Sequence, residues 1–490
     1  MKASILTSTP TPKTVEMLSY FIYEGEKLPQ APSPERIQRE AFTGAMGEMV
    51  IVENHEGYAY VAYVGLGKKK AITGLVVKNT VATLVRAAEQ RQMKTLAVVL
   101  PDELHTMEYG EQSSMGVHLG SYQFLRYKTD EKTKKRVRLQ SVQFVVDPET
   151  QFERGLTQGA LVAEGVILAR DLVNDPASNT TTQTLVDEAK QIAKKCPLIT
   201  VTVLDEQDCA KLGMGSYLSV AKGSIVPPKF VVLKYQPTKS KAKKTVALVG
   251  KSIMFDSGGL SLKPSEAMED MKIDMSGGAT VLGAFLALAN LSKLGYEVPH
   301  TVYGILPACE NMPSGSATRP GDIVTAMNGK TIEVLNTDAE GRLTLADALV
   351  YAERECGAEI VIDLATLTGA CMVALGTDLT GMFTNNTELG NKFQTIADAE
   401  GDELWQMPLY APYAKKMKSD IADLKNIGGG RYGGAITAAV FLEEFIDKAH
   451  WIHCDIAGPA YRNDEPKGVW GKGATGWGVQ SLVRLLFQIS

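Results

Sequence analysis

Cysteine is scarce in this 490-residue sequence, and its six cysteines form no CxxC pair. The closest two, Cys196 and Cys209, lie 13 positions apart. That spacing excludes zinc fingers of the CxxC type and the dense disulfide framework of small secreted proteins. We expect reduced thiols that pack as small apolar side chains.

The sequence also lacks an uninterrupted apolar run approaching the ~18 residues of a membrane-spanning helix. Its first ten residues hold too few apolar positions for the hydrophobic region of a signal peptide. We therefore expect a soluble, cytoplasmic protein.

Neither sign of charge dominates, since 51 basic and 56 acidic residues give a formal net charge of −5. The one basic cluster, residues 132–138, adjoins Asp130 and Glu131 and has no interleaved aromatic residue. Nucleic-acid-binding surfaces need a clearer excess of positive charge, so the cluster favours a solvated hairpin or loop. Nucleic-acid binding stays open only as a secondary activity.

Short β-branched or aromatic runs alternate with amphipathic stretches along most of the chain. This predicts an α/β protein with a mostly parallel central sheet flanked by helices. The pattern breaks near Asp147-Pro148, so we predict a smaller N-terminal α/β domain (1–150), a linker helix (151–175) and a larger C-terminal α/β domain (176–490). Predicted strands are 58–64, 96–100, 141–146, 199–204, 230–235, 245–249, 301–306, 331–335 and 360–363, and predicted helices are 79–91, 151–172, 182–195, 277–294 and 344–355.

In sheets of this kind, ligands bind beyond the carboxyl ends of the strands. One such loop, after strand 245–249, contains the Gly-Lys-Ser sequence of a phosphate-binding loop. That motif also needs a glycine five positions before its second glycine, where this chain has Thr245. The loop therefore does not favour an NTPase.

Four carboxylates follow predicted strands or precede a predicted helix: Asp256, Asp274, Asp338 and Glu340. Residues two apart in an extended segment face the same side, so Asp338 and Glu340 are expected to converge. Neighbouring carboxylates repel one another unless a counter-ion is present, and two divalent metal ions ~3.5–4 Å apart could share them. Helix caps and loop acids are the alternative for any single one of them.

Two lysines, Lys251 and Lys263, stand near these carboxylates in the sequence. A neutral amine can bind a metal ion and a charged one can polarise a carbonyl oxygen, with simple charge balance as the alternative. Oxygen ligands with one amine suit Mn²⁺ or Mg²⁺ as well as Zn²⁺. The six histidines lack the HExxH spacing, which excludes a zincin.

The segment NTDAEGRL (336–343) resembles the signature of the leucyl aminopeptidase family, hexameric exopeptidases with two metal ions. The resemblance is strong over roughly residues 160–490, whereas the first domain is similar only in architecture and in GVHLGSYQFLRYK (116–128). The other segments that resemble the family, in order, are NDPASN (174–179), GSIVPPK (223–229), FDSGG (255–259), SLKP (261–264), MKIDMSGGA (271–279), ENMPSGSATRPGDI (310–323), DLATLTGA (363–370), KSDIADLKN (418–426), GAITAAVFLEEF (434–445) and HCDIAGPA (453–460).

The resemblance implies that 176–490 is a dinuclear-metal aminopeptidase domain. By this resemblance, Lys251, Asp256, Asp274 and Glu340 would hold a tightly bound metal ion. Asp256, Asp338 and Glu340 would hold an exchangeable one, so that Asp256 and Glu340 bridge the two. The expected metals are Mn²⁺ or Zn²⁺.

The resemblance also implies that Lys263 and Arg342 are the catalytic residues. Lys263 would bind the substrate carbonyl and the oxyanion of a gem-diolate intermediate, formed when a metal-bridging water attacks. Arg342 would hold a bicarbonate ion acting as general base, helped by main-chain groups of Ala339, Gly341 and Leu367. The expected reaction, in a homohexamer, releases N-terminal residues from short peptides, with Leu and other apolar residues preferred. The substrate side chain would contact Met271, Thr366, Leu367, Gly369, Ala457 and Ala460.

Three alternatives stay open at this point. A different dinuclear hydrolase, such as a phosphatase, would need more cations than a pocket of Met271 and small residues offers. A DNA-binding role, as in some members of the family, has no support from the nearly neutral first domain. The intact set of ligand residue types argues against a catalytically inactive scaffold.

Overall fold

The computed structural model describes residues 1–28, 42–55, 57–134, 137–238, 242–430 and 432–489. The chain divides into two compact units, one of Met1–Ala163 with Asp464–Lys472, the other of Glu164–Asn463 with Gly473–Ser490. All six cysteines are free thiols and five are buried, as expected.

The described residues of the first unit form one sheet with helices packed on it. Its strands are β1 (Lys2–Leu6), β2 (Met17–Tyr23), β3 (Met49–His55), β4 (Tyr58–Gly67), β5 (Thr95–Val99) and β6 (Ser141–Val145). They lie in the order β1-β6-β5-β2-β4-β3, and every pair is parallel except β3 with β4. The helices are α1 (Gly74–Gln90), α2 (Met107–Gly120) and α3 (Glu131–Lys134), with 3-10 turns at Lys69–Ala71 and Asp102–Leu104.

Two expectations for this unit need correction. Helix α1 was predicted to begin at residue 79 but begins at Gly74. The Thr73 side chain caps it there by accepting the Val76 N–H. The short helix α3 lies where a hairpin or loop was expected, and Lys135 and Arg136 of the basic cluster lie outside the described residues.

In the second unit, the part of the chain that the structure describes forms a large mixed sheet and two small ones. Its strands are β7 (Ile199–Leu204), β8 (Lys229–Tyr235), β9 (Thr245–Gly250), β10 (Ser252–Asp256), β11 (Thr301–Asn311), β12 (Asp322–Thr325), β13 (Thr331–Val334), β14 (Ile360–Ala365), β15 (Thr380–Thr384), β16 (Leu404–Gln406), β17 (Leu424–Lys425), β18 (His450–Asp455), β19 (Tyr461–Arg462) and β20 (Gly473–Ala474).

The large sheet has the order β16-β15-β18-β14-β9-β11-β8-β7, with β10 also paired to β11. Its central strands β18, β14, β9 and β11 are parallel, and the antiparallel pairs lie toward its edges. The carboxyl ends of the central strands therefore meet at one edge. This confirms the predicted α/β class with a mostly parallel centre.

Helices cover this sheet. They are α4 (Phe152–Asn174), whose course crosses the boundary between the units, α5 (Thr182–Lys195), α6 (Glu206–Lys211), α7 (Gly215–Ala221), α8 (Ser265–Met268), α9 (Ser276–Lys293), α10 (Gly341–Arg354), α11 (Gly369–Leu375), α12 (Thr387–Glu400), α13 (Gly434–Glu443) and α14 (Val479–Gln488), with 3-10 turns at Met271–Met275 and Ala411–Met417. Within the described residues, one helical run, Ser265–Lys293, is long and apolar enough to cross a membrane. However, 94% of its most apolar stretch is buried inside the protein. Burial of this extent is typical of a core helix.

One predicted strand belongs to a different sheet. The segment 331–335 was expected to end at the edge of the large sheet, but β13 pairs with β12 and β17 in a separate three-stranded sheet. Alternate residues of β13 are buried, which is typical of a strand with only one covered face.

Candidate metal centre and active site

Three buried carboxylates converge at the carboxyl edge of the large sheet. Asp256 ends β10, Asp274 lies in the 3-10 turn before α9, and Glu340 is the residue before α10. Each offers a carboxylate oxygen, and these atoms lie within 4.8 Å of one another. Lys251, the residue after β9, places its Nζ 2.8 Å from Asp274 Oδ1 and 2.8 Å from Glu340 Oε1.

The three carboxylates outnumber the ammonium group of Lys251, which pairs with two of them. Burial raises the pKa of Asp274 well above its ordinary value and also raises that of Glu340. Burial alone would lower the pKa of Lys251, but the carboxylates of Asp274 and Glu340 outweigh it and raise this pKa. Among the described residues, Asp274 Oδ2 and Glu340 Oε2 have no hydrogen-bond partner. Buried, unpaired carboxylate oxygens are the donors that a divalent cation requires.

The fourth predicted carboxylate, Asp338, joins the cluster through a lysine. Lys263 Nζ lies 2.9 Å from Asp256 Oδ2 and 2.5 Å from Asp338 Oδ1. Glu340 has helical backbone angles (φ −78°, ψ −35°), so the extended geometry expected to bring Asp338 and Glu340 together is wrong. The turn into α10 orients the two side chains instead. Burial raises the pKa of Asp338, and Lys263 only partly offsets this rise.

Arg342 lies at the start of α10 and is 7% exposed. Its Nη1 donates to the Asn426 carbonyl at 2.8 Å, whereas its Nε has no partner among the described residues. Burial lowers the pKa of Arg342 to about 10, so the guanidinium stays charged at neutral pH. At Gly341, a Cβ would come within 2.6 Å of Lys251 Nζ, so a larger residue here would displace the end of the Lys251 side chain from the cluster.

The residues predicted to contact the substrate side chain follow two neighbouring strands. Thr366 and Gly369 come after β14, and Ala457 and Ala460 come after β18. The Thr366 hydroxyl donates to Asp274 Oδ1 at 2.7 Å, and its carbonyl accepts from Lys251 Nζ at 2.9 Å. Thr366 therefore contacts the carboxylate cluster directly.

The remaining predicted contacts vary in accessibility. Met271 begins the 3-10 turn that carries Asp274, and Gly369 is exposed with open space around it. The Leu367 N–H donates to Asp455 Oδ1 at 3.2 Å and is thus already paired. Ala460 is 3% exposed, beside a small internal cavity.

Sequence reasoning missed three polar residues that support the site. Asn311 donates from Nδ2 to Asp256 Oδ1 at 2.8 Å and to the Thr337 carbonyl at 3.0 Å. Asp455 accepts hydrogen bonds from the loop after β14, and Asn426 contacts the loop before α10. Each is the last residue of a strand or follows one, but the predicted strand 301–306 ends before Asn311 and neither β17 nor β18 was predicted, so the strand-end pattern did not reveal them.

Comparison with known proteins identifies the family. Residues 167–483 match the model of the cytosol aminopeptidase family, catalytic domain. The chain belongs to the cytosol aminopeptidase family. Residues 33–131 match the N-terminal domain of the same family. The predicted resemblance to leucyl aminopeptidases is thereby confirmed, and the protein is an aminopeptidase, a hydrolase of peptide bonds.

Relatives of this cytosol aminopeptidase family member span most of its length. It is 43% identical to a probable cytosol aminopeptidase of Thermosynechococcus vestitus, over 93% of this chain and 90% of the relative. It is 47% identical to one of Gloeothece citriformis, over 86% and 84%.

Two solved structures share its fold. The bottromycin maturation enzyme BotP, in complex with Mn, has a TM-score of 0.86 and 33% identity, covering 97% of this chain and 99% of that one. A mutant of tomato leucine aminopeptidase has a TM-score of 0.85 and 38% identity, covering 97% and 94%. The buried acidic cluster of this cytosol aminopeptidase family member fits divalent metal ions of the kind present in the BotP complex.

Proposed function

We propose that this aminopeptidase removes N-terminal residues, with Leu and other apolar residues preferred, from short peptides at a centre of two divalent metal ions. The observation that carries the proposal is the buried group of Asp256, Asp274 and Glu340, with two carboxylate oxygens that no described residue pairs. With Asp338, four carboxylates face the two ammonium groups of Lys251 and Lys263, and divalent cations would neutralise this excess of negative charge.

In the proposed arrangement, Asp256, Asp274 and Glu340 hold one ion, joined by Lys251 once its ammonium has given up a proton, and Asp256, Asp338 and Glu340 hold the other. The proximity of the three buried carboxylates supports the first group. The position of Asp338, joined to Asp256 through Lys263, supports the second. Bound Mn²⁺ or Zn²⁺ would lower the pKa of a water molecule and polarise the scissile carbonyl.

Lys263 is proposed to stabilise the negative charge that develops on the substrate carbonyl oxygen. Its side chain is 14% exposed, whereas that of Lys251 is 3% exposed, so only Lys263 of the two can reach a bound peptide. Its pKa is raised: burial alone would lower it, but Asp256 and Asp338 outweigh burial. A charged donor aimed at a developing oxyanion is among the largest contributions to catalysis.

Arg342 is proposed to hold a bicarbonate ion, which would act as the general base, beside the main chain of Ala339, Gly341 and Leu367. A charged, buried guanidinium whose Nε has no partner among the described residues suits a small planar anion. Because the Leu367 N–H is already paired with Asp455, Leu367 would contribute through its other main-chain atoms or after a small shift.

The deciding experiment measures hydrolysis of leucine 4-nitroanilide after metal removal by a chelator, with Mn²⁺, Zn²⁺ or no metal added back. N-acetylated leucine 4-nitroanilide is the control, because an exopeptidase of this kind requires a free amine. We expect metal-restored release from the free amine only. No release with either metal from a folded protein, or equal release from the acetylated substrate, would contradict the proposal.

The resemblance supports a proposal for assembly and location. We propose a homohexamer in the cytoplasm, the location that the names of the relatives contain. Analytical ultracentrifugation tests the hexamer, since a mass near six times 52.9 kDa is expected.

A further inference from the structure

Asn426 is fully buried and is not a member of the carboxylate cluster. Its side chain contacts the loop that precedes α10. It follows the two-residue strand β17, which pairs in parallel with β13. The backbone N–H of Asn426 donates to the Glu333 carbonyl at 3.0 Å. The short strand thus places this one side chain beneath the 335–339 loop.

The side-chain amide of Asn426 forms hydrogen bonds with backbone N–H groups and with backbone carbonyls. Its Oδ1 accepts the N–H of Leu335 at 2.9 Å and that of Asn336 at 3.3 Å. Its Nδ2 donates to the carbonyls of Asn336 at 2.6 Å and Ala339 at 3.4 Å. An aspartate could replace only the acceptor, and an alanine could replace neither.

Asn426 also contacts the guanidinium of Arg342. Its backbone carbonyl accepts a hydrogen bond from Arg342 Nη1 at 2.8 Å. One residue therefore joins the loop that carries Asp338 to the arginine at the start of α10. Buried backbone groups that lose their partners are costly, so the loop would rearrange if the amide were removed.

We infer that Asn426 is a positioning residue for catalysis, which sets both the course of the 336–339 loop and the orientation of Arg342. The inference rests on the proposed function, since it assigns to that site a support residue outside the metal ligands and the two catalytic side chains. Residues that orient the ligands of a metal site from outside are typically worth about 10–100-fold in activity or metal affinity.

The test compares Asn426→Ala and Asn426→Asp with the control Asn385→Ala. Asn385 makes the same kind of side-chain bridge at an exposed position of the same unit, accepting the Trp451 N–H and donating to the Ala449 carbonyl. For each variant, the thermal midpoint, the metal content and separate kcat and KM values are measured with leucine 4-nitroanilide. We expect kcat of Asn426→Ala to fall about 10–100-fold, with KM changing less than about threefold, and Asn385→Ala to keep wild-type kcat.

A double variant separates positioning from general loss of stability. Asn426→Ala keeps the backbone carbonyl that contacts Arg342, so the variant can act on Arg342 only through the shifted loop and backbone. If it does so, adding Asn426→Ala to Arg342→Ala should cost less than the product of the two single losses, because coupled residues are not additive. Fully multiplicative losses, or wild-type kcat in Asn426→Ala, would overturn the inference. Should Asn426→Ala fail to fold, Asn426→Asp, which keeps the acceptor and removes only the donor, is combined with Arg342→Ala instead.

Hydrogen exchange gives a readout that does not depend on peptidase activity. Peptides covering 335–342 should exchange faster in Asn426→Asp than in wild type, while peptides from α5 stay unchanged. Unchanged exchange in 335–342 would overturn the inference. A wild-type protein without metal-dependent peptidase activity would contradict the proposed function, and the exchange result would still decide the role of Asn426 in the loop.

Discussion

The hydroxyl of Thr366 donates a 2.7 Å hydrogen bond to Oδ1 of Asp274. The carbonyl of the same threonine accepts from Lys251, whose ammonium contacts that same carboxylate oxygen at 2.8 Å. Thr366 thus fixes two members of the cluster relative to each other, in addition to the substrate contact that the resemblance implies for it.

Replacing Thr366 by valine should therefore weaken metal binding. The shape of the side chain is kept, but Asp274 loses its hydroxyl partner, and we expect affinity for Mn²⁺ to fall about 10–100-fold. Competition with a chromophoric chelator measures the change. Thr366→Ser should restore most of the affinity, and Thr395→Val, on the exposed face of α12, is the control. Equal affinity in Thr366→Val and wild type would contradict the assigned role.

Replacing Lys263 by alanine should abolish most of the activity while the protein stays folded. Loss of one donor to a developing oxyanion costs on the order of 10²–10³ in rate. The measurement is kcat with leucine 4-nitroanilide, next to a thermal unfolding curve. Lys293→Ala, at the exposed end of α9, is the control. Near-wild-type turnover in folded Lys263→Ala would refute the role of Lys263.

Asp338→Asn should release one of two metal equivalents. Asp338 is assigned to one ion only and its side chain is 33% exposed, whereas the nearly buried Asp256 and Glu340 are assigned to both ions. Elemental analysis after dialysis against a fixed Mn²⁺ concentration gives the stoichiometry. Asp187→Asn, exposed on α5, serves as control. Two retained equivalents in Asp338→Asn would argue against the assignment.

Asp347 should make stability depend on pH. This buried residue of α10 accepts the N–H groups of Tyr217 and Met327, and burial raises its pKa to about 7. In the unfolded chain it ionises near pH 3.8, so between about pH 4 and 7 the folded state binds more protons. The free energy of unfolding therefore falls as the pH rises through this window, by about 1.4 kcal/mol for each pH unit.

Urea unfolding of wild type and Asp347→Asn at pH 5 and pH 8 checks this expectation. The variant lacks the titrating group, so the stability of wild type relative to the variant should be higher at pH 5 than at pH 8 by a few kcal/mol. The comparison removes the contribution of the other carboxylates, which both proteins share. A stability difference that does not change with pH would show that the Asp347 pKa is close to its ordinary value.

Local patterns predicted most individual elements but not their partners. Helix α5 and strand β7 have the predicted bounds, because amphipathic periodicity and β-branched runs are properties of the segment itself. Strand β13 was predicted as a strand and placed in the wrong sheet. Pairing partners depend on contacts between distant segments, which a local pattern does not encode.

The residues of the site also divide into those that a local pattern predicted and those that only contacts between distant segments reveal. Charged residues at strand ends drew attention to Asp256, Asp274 and Glu340 because several carboxylates in one place require an explanation. Asn311 and Asn426 carry no charge, so nothing in their local sequence distinguishes them from the asparagines of ordinary turns. Their importance lies in which backbone groups they meet, and only the folded chain shows that.

The strand order of the large sheet has a consequence for synthesis on the ribosome. Strand β14 lies between β9, which emerges more than a hundred residues earlier, and β18, which emerges some eighty-five residues later. Until His450–Asp455 has left the exit tunnel, β14 has one unpaired edge and the 366–368 loop lacks the Asp455 carboxylate that holds it. A nascent chain that ends before this strand cannot complete the loop beside Lys251. Peptide hydrolysis should therefore begin only when synthesis of the catalytic unit is nearly finished.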